Sequence, residues 1–387
     1  MSFAAERHLS VRAAATADDS LTEVLVHYAR GISFAGGLPD PALFDLERIA
    51  EVSAAAAADR TSWQYCPTEG RIQLRERIAA HMDKLGVKVG PESVLITHGS
   101  QQALDLLAKA FIDPGDKVLI DTPGYIGGIQ AMEAYGGELV AAPLDDDGSD
   151  PSRLDAEQAK RAKLLYTVST FQNPTGATLT PERRAALLEA AAAYDFLIVE
   201  DGAYQHLAYD QEPPRPIASY DSDGRVIYMG SFSKALVPGI RIGWITAAPE
   251  IIERLALLKQ ATDLATNSFG QRFVELWLER YGLEPPLAAY RAKRDRSLEA
   301  LEKHMPDGVT WNRPGGGFFI WIRLPEGLDT ASLLPQAREA GVTFVPGPAF
   351  NGPPHTMRFS FSQVDVSEIE TGVIRLADFL RKQLADS

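Results

Sequence analysis

Apolar and polar positions alternate in a repeating order from about residue 70 to residue 250. Helix-like stretches, such as residues 101–112 and 180–193, separate short apolar runs. These runs are residues 94–97, 117–121, 164–168, 196–200, 226–229 and 243–246. Strands that alternate with helices along a chain typically form a mostly parallel sheet covered by helices. The sequence therefore predicts an α/β domain.

The pattern changes after about residue 285. A charged helix is predicted at 285–304, a strand at 317–324, a helix near 331–340, short strands near 342–346 and 356–362, and a last helix at 366–384. Residues 1–31 are rich in alanine and predict a short helix and an arm. We expect residues 1–45 to contribute to a small α+β domain formed by residues 286–387, with residues 46–285 as the large domain.

Composition and charge narrow the classes of function. Of 387 residues, 45% are hydrophobic and 23% charged, which is typical of a soluble globular protein. The net charge is −14, and no run of basic residues opposes it, which argues against nucleic acid or an anionic membrane as the main partner. A single cysteine, Cys66, excludes an intrachain disulfide and suits the cytoplasm. No signal segment, membrane-spanning stretch or zinc motif is predicted.

The segment from Gly230 to Gly243 carries the most informative chemistry. It contains Lys234, two serines (Ser231 and Ser233) and Arg241, in a turn-rich stretch after the apolar run 226–229. A lysine amine can bond to the aldehyde of a cofactor while hydroxyls and a guanidinium hold the cofactor's phosphate. Taken alone, Lys234 fits better as a surface lysine in a serine-rich turn.

A second chemical interpretation of the same segment is the Ser-x-x-Lys motif of penicillin-binding enzymes, which residues 231–234 match. That family also requires Ser-Asp-Asn and Lys-Thr-Gly, and neither tripeptide occurs in this sequence. The sequence therefore favours the cofactor-binding lysine.

Three further groups follow predicted strands, at the edge where open parallel sheets bind ligands. Asp201, after the run 196–200, can cap a helix or pair with a protonated pyridine nitrogen, and Tyr204 can then bond a phenolic oxygen. Asn173, in Asn-Pro-Thr-Gly, either forms a turn or offers its amide to that oxygen and to a substrate carboxylate. Ser100 and Gln101 begin a predicted helix, where phosphate binds and where a serine N-cap is also common.

The local sequence gives less specific evidence for the roles of two further residues. Tyr125 follows the run 117–121 and either stacks on a flat ring or fills a buried loop. Arg358 interrupts an alternating strand, where it either faces solvent or clamps a carboxylate with two hydrogen bonds.

Together these residues resemble the class I/II aminotransferases, pyridoxal-phosphate enzymes of fold type I. The resemblance runs from about residue 32 to the C-terminus. The motifs are residues 32–39, 65–71, 97–102, 173–176 and 231–243, and they look most like the 2-aminoadipate/kynurenine aminotransferase branch. The resemblance implies a large domain with a mostly parallel sheet between helices, a smaller α+β domain, and pyridoxal 5'-phosphate as cofactor.

The resemblance also implies a role for each residue. Lys234 would bind the cofactor covalently and move the substrate proton, with Asp201 at the ring nitrogen. Asn173 and Tyr204 would bond the phenolic oxygen, and Tyr125 would stack on the ring. The expected phosphate ligands are Ser100, Gln101, Ser231, Ser233 and Arg241, with Tyr65 from the other subunit of a homodimer. Arg358 and Asn173 would take the substrate carboxylate, near Gly37.

The implied reaction is a ping-pong transfer of an amino group between an L-amino acid and a 2-oxo acid. A lyase, decarboxylase or oxidase on the same fold stays open, because these differ only in which bond at the α-carbon reacts. A transcription regulator with an aminotransferase-like domain would need a DNA-binding domain, and only about 30 residues precede the resemblance, with no basic helix.

The chain departs from the branch at two places. The branch commonly has Glu-Asp-Asp-Pro-Tyr-Tyr where residues 200–205 read Glu-Asp-Gly-Ala-Tyr-Gln. Relatives that take acidic substrates have an arginine in the stretch that corresponds to residues 16–21, where this chain has Asp18 and Asp19. We therefore expect a basic or neutral substrate side chain, because carboxylates repel each other. The alternative, a solvated acidic arm that does not contact the substrate, fits these residues about as well.

Overall fold

A computed structural model describes residues 8, 10–14 and 31–385 of the chain. Its strands are β1 (Ile32–Ser33), β2 (Val94–Thr97), β3 (Lys117–Thr122), β4 (Glu138–Asp145), β5 (Gly148–Ser149), β6 (Ala162–Thr167), β7 (Leu197–Asp201), β8 (Val226–Ser231), β9 (Gly243–Thr246), β10 (Thr310–Trp311), β11 (Phe319–Arg323), β12 (Val342–Thr343), β13 (Val345–Pro346) and β14 (Thr356–Ser360).

The helices of the described residues are α1 (Val11–Ala14), α2 (Leu46–Ala58), α3 (Ile72–Lys84), α4 (Gly99–Phe111), α5 (Ile126–Glu133), α6 (Ala156–Ala159), α7 (Pro181–Tyr194), α8 (Pro249–Asp263), α9 (Ser268–Tyr281), α10 (Leu287–His304), α11 (Thr330–Glu339) and α12 (Val366–Ala385). Several begin at a side chain that accepts from a backbone N–H of the first turn, which satisfies an otherwise unpaired donor. Asp45 accepts from Arg48 N at 3.0 Å before α2, and Thr180 from Arg183 N at 3.3 Å before α7.

The large sheet has eight strands in the order β2-β9-β8-β7-β6-β3-β4-β5. The five central strands β8, β7, β6, β3 and β4 run parallel to one another. Strand β9 runs antiparallel to both β2 and β8, and β5 runs antiparallel to β4. The six predicted runs all lie in strands of this sheet. Strand β4, which lies next to the edge strand β5, was not predicted. Its apolar residues 139–142 are followed by Pro143, and a proline within such a run argues against a strand.

A second sheet, β10-β11-β14-β13, is antiparallel and lies in the C-terminal part of the chain. Helices α10 and α12 pack against each other in the same part of the chain. The short strand β1 pairs in parallel with β12, Ile32 opposite Val342, which attaches residues 32–33 to this region. These elements confirm the predicted change of pattern after residue 285, while the domain boundaries at residues 45 and 285 stay a prediction.

Helix α1 lies within residues 1–31, where the sequence predicts a short helix. Residues 15–30 of the predicted arm, including Asp18 and Asp19, lie outside the described residues. Among the helices that the structure describes, none is long and apolar enough to cross a membrane. Within the same residues, no group of three or more His, Cys, Asp or Glu side chains is arranged to hold a metal ion.

Candidate active site

A cavity of about 270 Å³ lies at the carboxyl ends of the central strands. Twelve of the thirteen residues selected from the sequence line it: Gly37, Ser100, Gln101, Tyr125, Asn173, Asp201, Tyr204, Ser231, Ser233, Lys234, Arg241 and Arg358. The thirteenth, Tyr65, does not, and its side chain is 80% exposed.

The topology of the large sheet brings these residues together. Asp201 and Ser231 are the last residues of the adjacent strands β7 and β8, and Asn173 follows β6. Ser100 lies in the first turn of α4 after β2, and Tyr125 directly precedes α5 after β3. Because all these strands point the same way, their carboxyl ends meet at one edge, where open α/β sheets bind ligands.

Lys234 places its amine in the cavity. Its Nζ donates to the carbonyl oxygen of Gly37 at 3.0 Å and lies 6.0 Å from the centre of the Tyr204 ring. Burial, together with the positive charge of Arg358, lowers the pKa of Lys234 to about 8. The neutral, nucleophilic form of this amine is therefore more populated near neutral pH than that of an exposed lysine.

Asp201 is buried at the floor of the cavity. Its Oδ2 accepts from the hydroxyl of Tyr166 at 2.9 Å, and its Oδ1 accepts from Ala203 N at 3.0 Å. Burial raises the pKa of Asp201 to about 6, although both hydrogen bonds favour the ionised form. Asp201 therefore stabilises the turn after β7 through its bond from Ala203 N. It does not cap a following helix, because no helix begins after β7 until well beyond residue 204.

An anion-binding geometry surrounds the start of α4. His98, and not Ser100, occupies the N-cap position, and no side chain caps this helix end. The serine N-cap that the sequence allowed is therefore wrong. Gly99 has φ +69°, and a Cβ there would lie 2.7 Å from Nη2 of Arg241, so only glycine lets the guanidinium approach the backbone so closely. The N–H groups and dipole of α4 favour an anion here.

Arg358 lies inside β14 and is buried, so the solvent-facing alternative is wrong. Its Nη1 donates to Oδ1 of Asn173 at 2.8 Å, and its Nη2 donates to the carbonyl oxygen of Ala35 at 2.5 Å. The guanidinium carbon lies 4.6 Å from the centre of the Phe319 ring and 4.9 Å from that of Phe350. Two aromatic faces and two acceptors thus fix the orientation of a planar cation at the cavity wall.

Two tyrosines complete the polar lining. Burial raises the pKa of Tyr204, and a hydrogen bond with Asn173 acts in the opposite direction. Burial also raises the pKa of Tyr125, with a further contribution from the negative charge of Asp201. Both hydroxyls are therefore protonated at neutral pH, and that of Tyr125 donates to Oε1 of Gln101 at 3.5 Å.

Sequence reasoning missed part of the lining. Leu38, Ile126, Val345 and Phe350 form an apolar part of the cavity wall. Tyr166, which bonds Asp201, was counted only as one letter of an apolar strand. Its phenol in an otherwise aliphatic run, next to a strand that ends in carboxylates, was the available signal.

The family model of class I and II aminotransferases matches residues 34–376. The aromatic-amino-acid aminotransferase 1 of Thermococcus litoralis is 40% identical, over 98% of this chain and 95% of its own length. A crystal structure of the kynurenine aminotransferase of Pyrococcus horikoshii, which contains pyridoxamine phosphate (PMP), has a TM-score of 0.94 and 40% identity, with 98% of each chain covered.

A third similar protein is the α-aminoadipate aminotransferase of Thermus thermophilus. Its structure in complex with N-(5'-phosphopyridoxyl)-L-leucine has a TM-score of 0.92 and 36% identity, with 100% of each chain covered. Both solved structures have the same fold as this chain over nearly its whole length.

Proposed function

The chain belongs to the class I and II aminotransferases, and from this premise we propose how its residues divide the work of the reaction. It is a pyridoxal-phosphate-dependent transaminase that moves an amino group between an amino acid and a 2-oxo acid. The observation that supports the division is that Lys234, Asp201 and Arg358 line one cavity. These are a nucleophilic amine, a buried carboxylate and a fixed guanidinium.

The cavity fits the cofactor at each of its polar ends. The uncapped start of α4, with Ser100, Gln101, Ser231, Ser233 and Arg241, would hold the phosphate. Asp201 would pair with the ring nitrogen, Asn173 and Tyr204 would bond the phenolic oxygen, and Tyr125 would pack against the ring. The glycine at position 99 supports this assignment, since a Cβ there would fill the space beside Arg241.

The bound cofactor supplies an electron sink for the negative charge that develops at the substrate α-carbon. Lys234 is the residue that attaches to it and that moves the α-proton through Nζ, because a neutral amine can accept a proton and return it. Asp201 is ionised above about pH 6 and would stabilise a positive charge on the ring nitrogen of the bound cofactor. Burial of both groups strengthens these interactions.

Arg358 and Asn173 are the proposed site for the substrate α-carboxylate. Gly37 lies beside them, since a Cβ on this residue would come within 3.6 Å of Nη1 of Arg358. The absence of a side chain at Gly37 leaves the guanidinium open to the cavity. A planar guanidinium can bind a carboxylate with two hydrogen bonds, which fixes the orientation of the substrate.

We propose that the substrate side chain is neutral. Leu38, Ile126, Val345 and Phe350 are apolar, and the cations among the described residues that line the cavity are Lys234, Arg241 and Arg358, each assigned another task above. The leucine derivative bound by the Thermus relative and the aromatic specificity in the name of the Thermococcus relative support this choice. The basic alternative depends on Asp18 and Asp19, outside the described residues, and stays a prediction.

The proposed active form is a homodimer in the cytoplasm. Four large apolar side chains between the start of α2 and the start of α3 are exposed: Leu46 by 70%, Trp63 by 69%, Tyr65 by 80% and Ile72 by 44%. Covering them with a second copy would remove this apolar surface from water. Tyr65 would then reach the phosphate held by the other subunit, which explains why it lies outside the cavity of its own chain.

A screen of amino donors tests this proposal. Leucine, phenylalanine, 2-aminoadipate, glutamate and arginine would each be incubated with the holoenzyme and with pyruvate or 2-oxoglutarate, and both products measured. We expect equal amounts of 2-oxo acid and new amino acid, the highest kcat/KM for leucine or phenylalanine, and no product from Lys234→Ala. Product without consumption of the amino acceptor would indicate a lyase, decarboxylase or oxidase. The highest kcat/KM for 2-aminoadipate would contradict the proposal of a neutral substrate side chain.

A further inference from the structure

Tyr166 and Asp201 lie on adjacent strands and on the same face of the large sheet. Tyr166 in β6 is paired with Val199 in β7, and Asp201 is two residues further along β7. Side chains of alternate residues in a strand point to the same face, so the phenol of Tyr166 is directed along the sheet towards the carboxylate. Its hydroxyl donates to Oδ2 of Asp201 at 2.9 Å, and the whole residue is 0% exposed.

Gly128 in α5 provides the space that the Tyr166 ring occupies. A Cβ on Gly128 would contact Cε1 of the ring and would lie 2.9 Å from both Cδ1 and Cζ, closer than such contacts are found. The ring is therefore held between the sheet and the backbone of the helix that Tyr125 precedes. This packing restricts rotation of the Tyr166 side chain and so fixes the direction of its hydroxyl.

We propose that Tyr166 is a positioning residue for the transaminase reaction: its hydroxyl holds the Asp201 carboxylate ionised and oriented towards the cavity, where the cofactor ring binds. This inference rests on the proposed role of Asp201. Tyr166 touches neither substrate nor cofactor in this scheme and acts only through Asp201. The Tyr166 hydroxyl is a fixed hydrogen-bond donor in a site from which water is largely excluded. One hydrogen bond to a charged group has a large effect in such a site.

The electrostatic surroundings of Asp201 define the expected direction of the effect. Burial and the neighbouring charge of Glu200 raise its pKa, whereas Tyr166, the N–H of Ala203 and the charge of Lys234 lower it. The hydroxyls of Tyr125, Tyr204 and Tyr228 also lie within electrostatic range. All three are protonated at neutral pH, so Tyr166 is the tyrosine whose hydrogen bond directly favours the carboxylate. Its removal raises the pKa of Asp201.

Tyr166→Phe is the first test, because it deletes one oxygen and leaves the ring that packs over Gly128. Tyr228→Phe is the matched control. Tyr228 is equally buried, lies on β8 at the other side of β7, and points its hydroxyl to the opposite face, where that hydroxyl has no hydrogen-bond partner among the described residues. Affinity of the apoenzyme for pyridoxal phosphate, the absorbance of the bound cofactor against pH, and kcat/KM would be measured for both variants.

We expect Tyr166→Phe to weaken cofactor binding and to lower kcat/KM by roughly ten- to a hundredfold, as expected for the loss of one hydrogen bond to a charged group. The acidic limb of the cofactor-binding and absorbance profiles should move to higher pH, because the raised pKa of Asp201 means that it is protonated sooner as the pH falls. Tyr228→Phe should leave all three measurements near those of the wild type.

Gly128→Ala is a second, independent perturbation, because it displaces the Tyr166 ring without removing the hydroxyl. It should shift the same pH profile in the same direction, and Gly128→Ala combined with Tyr166→Phe should shift it no further than Tyr166→Phe alone. An unchanged pH profile in Tyr166→Phe overturns the inference, even where thermal stability falls. A wild-type protein that bound no cofactor would instead refute the proposed function.

Discussion

Arg358 in the smaller sheet donates from Nη1 to Oδ1 of Asn173, in the loop after β6 of the large sheet, at 2.8 Å. The hydrogen bond joins the two sheets at the cavity. It also orients the Asn173 amide, whose other end is then available to donate to Tyr204. One contact therefore links the proposed carboxylate site to the proposed site of the phenolic oxygen.

Arg358→Lys should lower kcat/KM for every amino donor by about a hundredfold, because lysine keeps the charge but cannot make two parallel hydrogen bonds to a carboxylate. We expect most of this loss in KM. Arg323→Lys, on the adjacent strand β11, is the control, since Arg323 is paired with Asp146 at the surface. Steady-state kinetics of both variants with one amino donor would test this prediction. A similar loss in the two variants would show that the effect is structural.

Asp201→Asn should lower kcat by about a hundredfold or more, because a neutral amide cannot stabilise a positively charged ring. The side chain keeps its size and can still accept from Ala203 N. Cofactor should therefore still bind, although more weakly. Stopped-flow measurement of a single turnover separates this chemical defect from slow release of product. Near-normal single-turnover rates would disprove the assigned role.

The same substitution should not destabilise the apoenzyme at pH 8. The pKa of Asp201 is about 6 in the folded protein, above the value of about 3.9 for an unperturbed aspartate. Between these values the folded state binds more protons than the unfolded state, so stability falls as the pH rises through this window and stays lower above it. Thermal unfolding should give Asp201→Asn a Tm equal to or above that of the wild type at pH 8. A clearly lower Tm there would contradict the expected cost of the buried charge.

Gly99→Ala should weaken cofactor affinity by about tenfold or more, because the added Cβ displaces Arg241 from an anion site where charged hydrogen bonds are strong. Gly115→Ala is the matched control. Gly115 also has a positive φ, of +91°, but a Cβ there would meet no atom within 4 Å. Both variants carry a backbone strain of about 1 kcal/mol, so a difference in cofactor affinity isolates the contact with Arg241. Equal affinities would place the phosphate elsewhere.

The rate at which the apoenzyme captures pyridoxal phosphate covalently should rise with pH and level off above about 8. The pKa of Lys234 is lowered to about 8, so its amine becomes the reactive neutral form at a lower pH than an exposed lysine does. Borohydride reduction followed by peptide mapping would locate the attached cofactor. Lys88→Ala, at an exposed lysine paired with Asp83, should behave as the wild type. Attachment at another lysine would overturn the assignment.

Mixed dimers test the contribution of Tyr65. Lys234→Ala and Tyr65→Ala subunits, each with its own affinity tag, would be co-expressed and the mixed dimer purified. If Tyr65 acts in the other subunit's site, one site of the mixed dimer carries both defects and the other carries none, so activity should reach about half that of the wild type. No gain over the Tyr65→Ala homodimer would show that Tyr65 acts within its own chain. Sedimentation would also reveal any active monomer.

The sequence predicted the strands and the residues at their carboxyl ends because both signals are local. An apolar run predicts β7, and the polar residue that ends it, Asp201, follows directly. Tyr166 could not be assigned in the same way, because its function depends on the order of strands β6 and β7 and on the absence of a side chain at Gly128, two facts of tertiary structure.

For Arg358, the local sequence pattern did not determine the direction of the side chain. Its position within an alternating strand left two directions open, and the resemblance to a family selected one of them. The structure supplies the physical reason, since two aromatic rings and two acceptors surround the guanidinium. Local patterns could not supply it, because Ala35, Asn173, Phe319 and Phe350 are far from Arg358 or separated from it by turns.

The positions of the ligands along the chain mean that the proposed cofactor site and the proposed carboxylate site are completed at different times during synthesis. Within one chain, the proposed cofactor ligands all fall between Ser100 and Arg241, whereas the carboxylate site needs Arg358, on a strand that is among the last to be synthesised. Because synthesis proceeds from the N-terminus, a growing chain possesses every one of these cofactor ligands well before it can recognise an amino acid. Binding of the substrate carboxylate is thus a property of the nearly complete chain alone.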